Sequence, residues 1–271
     1  MAKKIDEEAL AEAYNRALSL EKSGSIDAAV AAYREVLALD PEDHGGVAVR
    51  LAALGRGETP PKAPEAYVET LFDQNAEAFE DILVEQLGYH VPVMVRQRLQ
   101  ALGLGPFKRL LDLGCGTGLT GAALRDMVDD ITGMDISENM VEITHDKEIY
   151  DTLYVAEVED FLEDNDDEPF DIITATDVVP YLGGLEALFF GAAENLVPGG
   201  LFIFSAEVRD DAELGGEPYR VYPFQRFVHA PGYIADRLKA TGFEVVESLD
   251  INVRMQDGNP SPGLLVTARL A

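Results

Sequence analysis

The residues best suited to chemistry form one string, Leu110-Leu111-Asp112-Leu113-Gly114-Cys115-Gly116-Thr117-Gly118, with Asp135 further along the chain. An apolar run enters a glycine-rich turn, and a helical run from Leu119 to Met127 leaves it. Glycine tolerates positive φ and lets a ligand approach the backbone closely. The start of the following helix offers free amides and the positive end of a dipole. A carboxylate at the end of the next strand, where Asp135 falls, can accept hydrogen bonds from both hydroxyls of a ribose. This pattern predicts a nucleoside site at the carboxyl edge of an open α/β sheet. It is also compatible with a tight strand-to-helix turn that holds no ligand. Gly116-Thr117-Gly118-Leu119-Thr120-Gly121 formally matches the dinucleotide fingerprint, a short pattern with many chance matches.

The elements that must position these residues can be read from hydrophobic periodicity. Strands are predicted at Arg109-Leu113, Asp130-Asp135, Thr152-Ala156, Phe170-Ala175, Gly200-Ala206, Phe243-Ile251 and Leu264-Leu270. Helical runs lie between the first five, the signature of a parallel sheet covered on both faces. The last two strands follow each other without a helix and are predicted to pair as an antiparallel hairpin around Asp257-Gly258-Asn259-Pro260. Three helical stretches, over 64–78, 77–88 and 91–103, precede the first strand. Residues 5–56 read as helices, with apolar residues at helical spacing in Leu10, Tyr14, Ala17, Leu18 and again in Val30, Tyr33, Val36, Leu37. Gly55 to Pro64 has the composition of a linker. The expected organisation is a helical region and linker at 1–62 and an α/β domain at 63–271, with covering helices at 63–107 and the sheet core at 108–271.

The string Asp112 to Gly118 resembles motif I of the class I S-adenosylmethionine (SAM) methyltransferases. In that family the acid two residues before the first glycine orients the loop near the methionine end of the cofactor. A dinucleotide enzyme has no need of such an acid, because its loop faces an anionic pyrophosphate; SAM brings an ammonium and a sulfonium. Thr132 to Ser137 resembles the ribose-binding second strand. Ala156 to Asp160 resembles the loop after strand three, where an acid takes the adenine amino group and the next amide reaches the ring. Glu157 stands where the family usually has Asp. Phe170 to Asp177 resembles the fourth-strand motif, and Leu196 to Leu201 the turn into strand five. The resemblance covers residues 64–271. It implies a doubly wound, Rossmann-like, seven-stranded sheet, mostly parallel with an antiparallel last strand. It implies SAM as cofactor, held by Asp112, Gly114, Cys115, Gly116, Gly118, Asp135, Ile136, Glu157, Val158 and Thr176.

In the first helical region Ala17, Leu20, Gly24, Ala29, Tyr33 and Pro41 resemble the small, apolar, turn and stop positions of a tetratricopeptide repeat (TPR). With that hairpin the chain is similar to bacterial methyltransferases that carry such repeats. A lone repeat leaves a face to cover, so the hairpin is expected to pack on the next domain or on a protein partner.

Methyl transfer needs in-line approach of a nucleophile to a good leaving group, so positioning and desolvation supply much of the rate. A base is needed only where the acceptor must lose a proton. Candidates on the carboxyl-end loops are Asp177, Tyr181, Glu207 and His229. Tyr67 and Phe72, on the helices before strand one, are the candidates for a lid over the acceptor, and Phe79 is read as part of a helix-core stripe.

Composition narrows the partners. The chain has 21 Lys and Arg against 50 Asp and Glu, a formal charge of -29 that repels nucleic acid and anionic membranes. The expected acceptor is therefore a small molecule, and the acids named above suit a cationic one. One cysteine excludes an intrachain disulfide framework and fits a reducing compartment such as the cytoplasm. No stretch is apolar enough to span a bilayer, and the first residues lack a signal-peptide core. Four scattered His and one Cys show no metal-ligand spacing, so no metal is expected. Two other readings are an NAD-dependent oxidoreductase, for which no hydride-site constellation is evident, and a SAM-binding interaction protein without turnover.

Overall fold

The computed structural model describes residues 6–271. Residues 1–5, which include most of the start read above for a signal peptide and the first helical residue, lie outside the described residues. Three helices open the chain: α1 (Glu7–Lys22), α2 (Ile26–Leu39) and the short α3 (Val47–Ala53). Asp6 caps α1 by accepting from the Ala9 amide at 3.2 Å. These helices share their own core, built on Ala17, Ala29, Tyr33, Val36 and Val47. The small residues let α1 and α2 approach closely, and Tyr33 fills the space between them.

After the connecting stretch come α4 (Glu65–Asn75), a 3-10 turn (Ala76–Ala78), a π-helical turn (Asp81–Gln86) and α5 (Val91–Leu102). The single helix expected over 77–88 is thus a wider, irregular one. Then follow β1 (Phe107–Leu113), α6 (Leu119–Leu124), β2 (Val128–Asp135), α7 (Glu138–Asp146), β3 (Thr152–Val155), α8 (Val158–Asp164), β4 (Phe170–Ala175), α9 (Glu186–Glu194) and β5 (Leu196–Glu207). The chain ends with α10 (Asp211–Leu214), β6 (Tyr219–Tyr222), β7 (Arg226–His229), α11 (Pro231–Ala240), β8 (Phe243–Gln256) and β9 (Asn259–Leu270).

Seven strands form one sheet in the order β3-β2-β1-β4-β5-β9-β8. The first five are parallel, and β9 lies antiparallel between β5 and β8. The predicted hairpin is present. Gln256 pairs with Asn259, and the two residues between them, Asp257 and Gly258, both have positive φ (49° and 76°), as a two-residue type I′ turn requires. Both faces are covered, so the buried stretches of the central strands are largely apolar. Leu111 and Leu113 pack toward α9 and α11 with Phe189, Phe202 and Phe204. Leu110, one residue out of phase, packs toward α5 with Val91, Val95 and Leu99.

A separate ribbon of β6 and β7, not expected from the sequence, carries Val221 and Phe227. Against them pack Val49 of α3, Ala63 and Tyr67, so the N-terminal helices rest on this ribbon. The stretch read as a linker is pinned at its end. The Pro61 carbonyl accepts from the Gly183 and Gly184 amides, both at 2.8 Å, and the Ala63 amide donates to the Tyr181 carbonyl at 2.8 Å. No helix among the described residues is long and apolar enough to cross a membrane.

Candidate active site

The strand order reverses between β1 and β4, and the glycine turn sits at the carboxyl end of β1 beside that switch point. Gly114, Gly116 and Gly118 all have positive φ (61°, 54° and 87°). A Cβ on Gly114 would lie 2.6 Å from Val178, so side chains are excluded there on two counts.

Asp112 stands behind the loop and is fully buried. Its Oδ2 accepts from the Tyr150 hydroxyl at 2.6 Å and its Oδ1 from Thr174 at 2.7 Å. The Tyr150 oxygen in turn accepts from the Gly121 amide at 2.9 Å. Burial pushes the Asp112 carboxyl up to about 6, against these two hydrogen bonds. The acid therefore fixes the start of α6 through Tyr150 and does not line the cavity. Tyr150 also fills the space over Gly133, where a Cβ would meet its ring at 2.7 Å and Leu153 at 3.0 Å. Gly133→Ala should cost about 1–3 kcal/mol by overpacking. Urea unfolding of the variant measures it.

Asp135 ends β2 and is almost wholly buried. Its Oδ2 accepts from the Gly116 amide at 2.9 Å and its Oδ1 from the Ser137 amide at 3.0 Å. Burial pushes it up to about 6, opposed by those amides. It joins the glycine loop to the turn after β2 while it lines the cavity. Glu157 is the N-cap of α8, with Oε2 accepting from the Glu159 and Asp160 amides at 2.7 and 3.0 Å. Its other oxygen, Oε1, lies 3.4 Å from the Lys62 ammonium at the cavity wall. The Val158 amide begins α8 and has no intrahelical acceptor, as at any helix start. Thr176 shares a 2.8 Å hydrogen bond with Thr120 across the floor.

One cavity collects Gly114, Cys115, Gly116, Asp135, Ile136, Glu157, Val158 and Thr176. The rest of its lining is largely aromatic and apolar, with Phe72, Phe79, Leu83, Tyr89, Val178 and Tyr181. Phe72 meets Phe79 and Tyr181 edge-on, with centroids 6.0 and 5.3 Å apart. Phe79 thus covers the site, facing Gly116. Tyr67 does not: its ring lies against Gly46, where a Cβ would come within 2.6 Å. The π-helical turn carries Leu83 to the cavity, and such turns concentrate at functional sites.

The covering segment is fastened to the turns after β1 and β2. Asp73 of α4 accepts from the Ser137 hydroxyl at 2.5 Å and the Asn139 amide at 3.3 Å. Glu80 accepts from the Thr117 hydroxyl at 2.7 Å and pairs with Lys147, whose ammonium also donates to the Thr117 carbonyl at 2.6 Å. Hydrogen bonds from Lys147 and Thr117 hold the Glu80 carboxyl below its ordinary value, outweighing a larger opposing effect of burial. These clasps were not foreseen; Glu80 and Asp73 are indistinguishable in sequence from other exposed acids of an acidic chain.

The four acceptor-side candidates divide. Asp177 and Tyr181 line the cavity; Glu207 and His229 do not. Asp177 has a φ of 72°, which turns the chain sharply after β4. It is ion-paired with Arg254, a buried residue of β8. Arg254 also lies 3.7 Å from Glu207, which accepts from Arg226 at 2.7 Å and from the Ser261 hydroxyl at 2.7 Å. Two carboxylates thus face two guanidinium groups. Burial pulls Arg254 down to about 10, still charged at neutral pH. The acids at this end are neutralised, which removes the basis for expecting a cationic acceptor. Tyr181 is a neutral phenol whose ionisation burial strongly opposes.

His229 is enclosed behind the ribbon. Its Nε2–H donates to the Gly183 carbonyl at 3.0 Å and its ring stacks on Tyr233. Burial lowers it to about 4. The unfolded chain therefore binds the extra proton between pH 6.5 and 4, and stability present above pH 6.5 is lost as pH falls through that window. His229→Gln should remove about 3 kcal/mol of that acid-side loss. Unfolding of both proteins across pH 4–7 measures it. Among the described residues, no group of three or more His, Cys, Asp or Glu is placed to hold a metal ion.

The residues fit a SAM-like cofactor: a loop no side chain could occupy, a buried carboxylate at the ribose position, and an acceptor–donor pair in Glu157 and Val158 for a purine edge. The profile described as "Methyltransferase domain" matches residues 87–248. Over 159 residues the chain is 26% identical to the ubiquinone biosynthesis O-methyltransferase of Idiomarina loihiensis, covering 54% of this chain and 64% of that relative. The match spans less than two thirds of the relative's length. A SAM-dependent methyltransferase structure from Clostridium acetobutylicum superposes with a TM-score of 0.54 at 16% identity, over 73% of this chain and 98% of that one. The magnesium protoporphyrin IX methyltransferase of Synechocystis gives 0.51 at 17% identity, over 84% and 100%. These likenesses support the fold. With more than half of its length inside the profile match, and with the strand order and glycine loop described, this chain belongs to the methyltransferase-domain family of class I SAM-dependent methyltransferases.

Proposed function

We propose that this protein transfers the methyl group of SAM to a small, uncharged acceptor carrying an aromatic or extended apolar part. The observation that carries the reading is the continuity of the cavity. The glycine loop and Asp135 line the same cavity as the apolar and aromatic side chains of Phe72, Phe79, Leu83, Tyr89 and Tyr181. Bound SAM supplies an electrophilic methyl on a good leaving group. The protein's part is to hold the nucleoside, exclude water and orient the acceptor. Asp135 and Gly116 support the ribose side, and Glu157 and Val158 the purine side. Phe72 and Phe79 close the site from above. Tyr181 presents a neutral phenol that can donate to an acceptor oxygen, and Asp177, held by Arg254, is the one acceptor-side carboxylate at the wall. The name of the ubiquinone-biosynthesis relative makes oxygen the first acceptor atom to assay.

We further read 1–62 as a TPR-like helical arm and 63–271 as the methyltransferase domain. The separate core of α1 to α3 supports that division. The arm covers its apolar face with the β6–β7 ribbon, which lessens the need for a protein partner. A reducing compartment such as the cytoplasm suits a chain whose one cysteine is free and buried at the cavity wall.

The cofactor half of this reading is tested by thermal unfolding. SAM or S-adenosylhomocysteine at 100 times Kd should stabilise the fold by about 2.7 kcal/mol, and NAD should give no shift. The reverse order would return the site to the oxidoreductase reading. The acceptor half is tested by Tyr181→Phe. SAM affinity should stay within about twofold, because no cofactor contact is lost, while turnover of a phenolic acceptor should fall about 5- to 10-fold for one neutral hydrogen bond.

A further inference from the structure

The connecting stretch carries one basic residue into the cavity. Lys62 forms an isolated β-bridge with Leu182, and its neighbours Pro61 and Ala63 are bonded to Gly183, Gly184 and Tyr181. Its backbone is therefore fixed. Its ammonium lies 3.4 Å from Oε1 of Glu157, 3.3 Å from Glu159 and 2.9 Å from Glu65. Lys62 lines the same cavity as Glu157 and Val158. The other oxygen of Glu157 is already committed to the α8 amides. The oxygen that Lys62 holds is thus the one left for a ligand.

We propose that Lys62 is a positioning residue for the purine of the cofactor, setting the free Glu157 oxygen where a 6-amino group donates to it. The inference rests on the SAM reading of the cavity. Glu65, Glu159 and Glu157 converge on one ammonium. Without it, like charges would repel and the free Glu157 oxygen would turn away from the rim. The 6-amino group would then lose its acceptor. A 6-oxo purine presents an acceptor at that position and gains nothing from the arrangement. Lys62 therefore sets selectivity between the two purines, beyond any support it gives to the stretch between α3 and α4.

The test is calorimetry on the full chain with S-adenosylhomocysteine and its 6-oxo counterpart, S-inosylhomocysteine. The wild type should prefer the adenosyl compound by about tenfold or more, the worth of one hydrogen bond to a charged group. Lys62→Met should bring that ratio near one, by weakening the adenosyl compound alone, and Lys62→Arg should restore most of it. Glu157→Gln should lower the ratio as well, and the double variant Lys62→Met/Glu157→Gln should add little to either single change, because the two act as one unit. Circular dichroism confirms that each variant is folded. An unchanged ratio in Lys62→Met overturns the proposal, as does equal weakening of both compounds, which would make Lys62 a purely structural anchor. Wild-type protein that binds neither compound overturns the SAM reading itself, and the proposal with it.

Discussion

Arg254→Met should lower the free energy of unfolding by about 3–5 kcal/mol, the usual result of leaving a buried charge without its partner. Arg254 is 4% exposed and faces Asp177 and Glu207. Glu207 keeps Arg226 and Ser261 when Arg254 is lost, so most of the penalty falls on Asp177. Methionine fills a similar volume, which keeps the cavity contribution small. Asp177→Asn added to Arg254→Met should recover part of the loss, because the uncompensated charge is then gone. Urea unfolding of the two single variants and the double variant at neutral pH measures the coupling. A loss below about 1 kcal/mol in Arg254→Met, the size of an exposed ion pair, would contradict the buried network.

Asp135→Ala should weaken binding of S-adenosylhomocysteine by about 10- to 150-fold, the range for hydrogen bonds to a charged group. The carboxylate acts twice here. It faces the cavity, and it accepts from the Gly116 and Ser137 amides, tying the glycine loop to the turn after β2. Asp135→Asn should lie between wild type and alanine, because one oxygen remains to accept while its amide group faces an amide donor. Calorimetric titration of the three proteins decides it. Equal affinity in all three would remove Asp135 from the site.

Much of this arrangement was legible in the sequence, for physical reasons. The central strands are buried on both faces and so read as short, largely apolar runs, as in Leu110 to Leu113 around Asp112 and Phe170 to Ala175 around Asp171 and Thr174. The glycine turn was legible because positive φ and close packing against Val178 leave little choice of residue. The type I′ turn at Asp257-Gly258 was legible on the same ground. The acceptor side was not. Asp177, Glu207, Arg226 and Arg254 come from four distant segments, and nothing local marks them as one cluster. Strand alternation gave no signal either: in Ile251-Asn252-Val253-Arg254-Met255 the arginine falls in phase with the exposed Asn252, and the register shift between Asn252 and Arg254 is what turns it inward. His229 and Tyr67 have side chains suited to the chemistry and lie in sequence near the sheet edge. The Gly183 carbonyl, remote in sequence, holds His229 behind the ribbon, and Gly46 takes the Tyr67 ring, which draws both out of the cavity. Phe79, read as core, lies over Gly116 because the turn before it departs from α-helical spacing. Lys62 was hidden by a proline-rich stretch with the composition of a linker.

The central claim is methyl transfer from SAM to a small acceptor, and it is tested most directly by mass balance. The wild-type protein is incubated with SAM labelled in the methyl group and a panel of phenols and other uncharged aromatic acceptors, and products are resolved by mass spectrometry. S-adenosylhomocysteine and a labelled, methylated acceptor should accumulate in equal amounts, and Asp135→Ala should abolish most of both at limiting SAM. SAM that binds and stabilises the wild type, with no label on any acceptor in the panel, would contradict that claim and leave a SAM-binding protein without this activity.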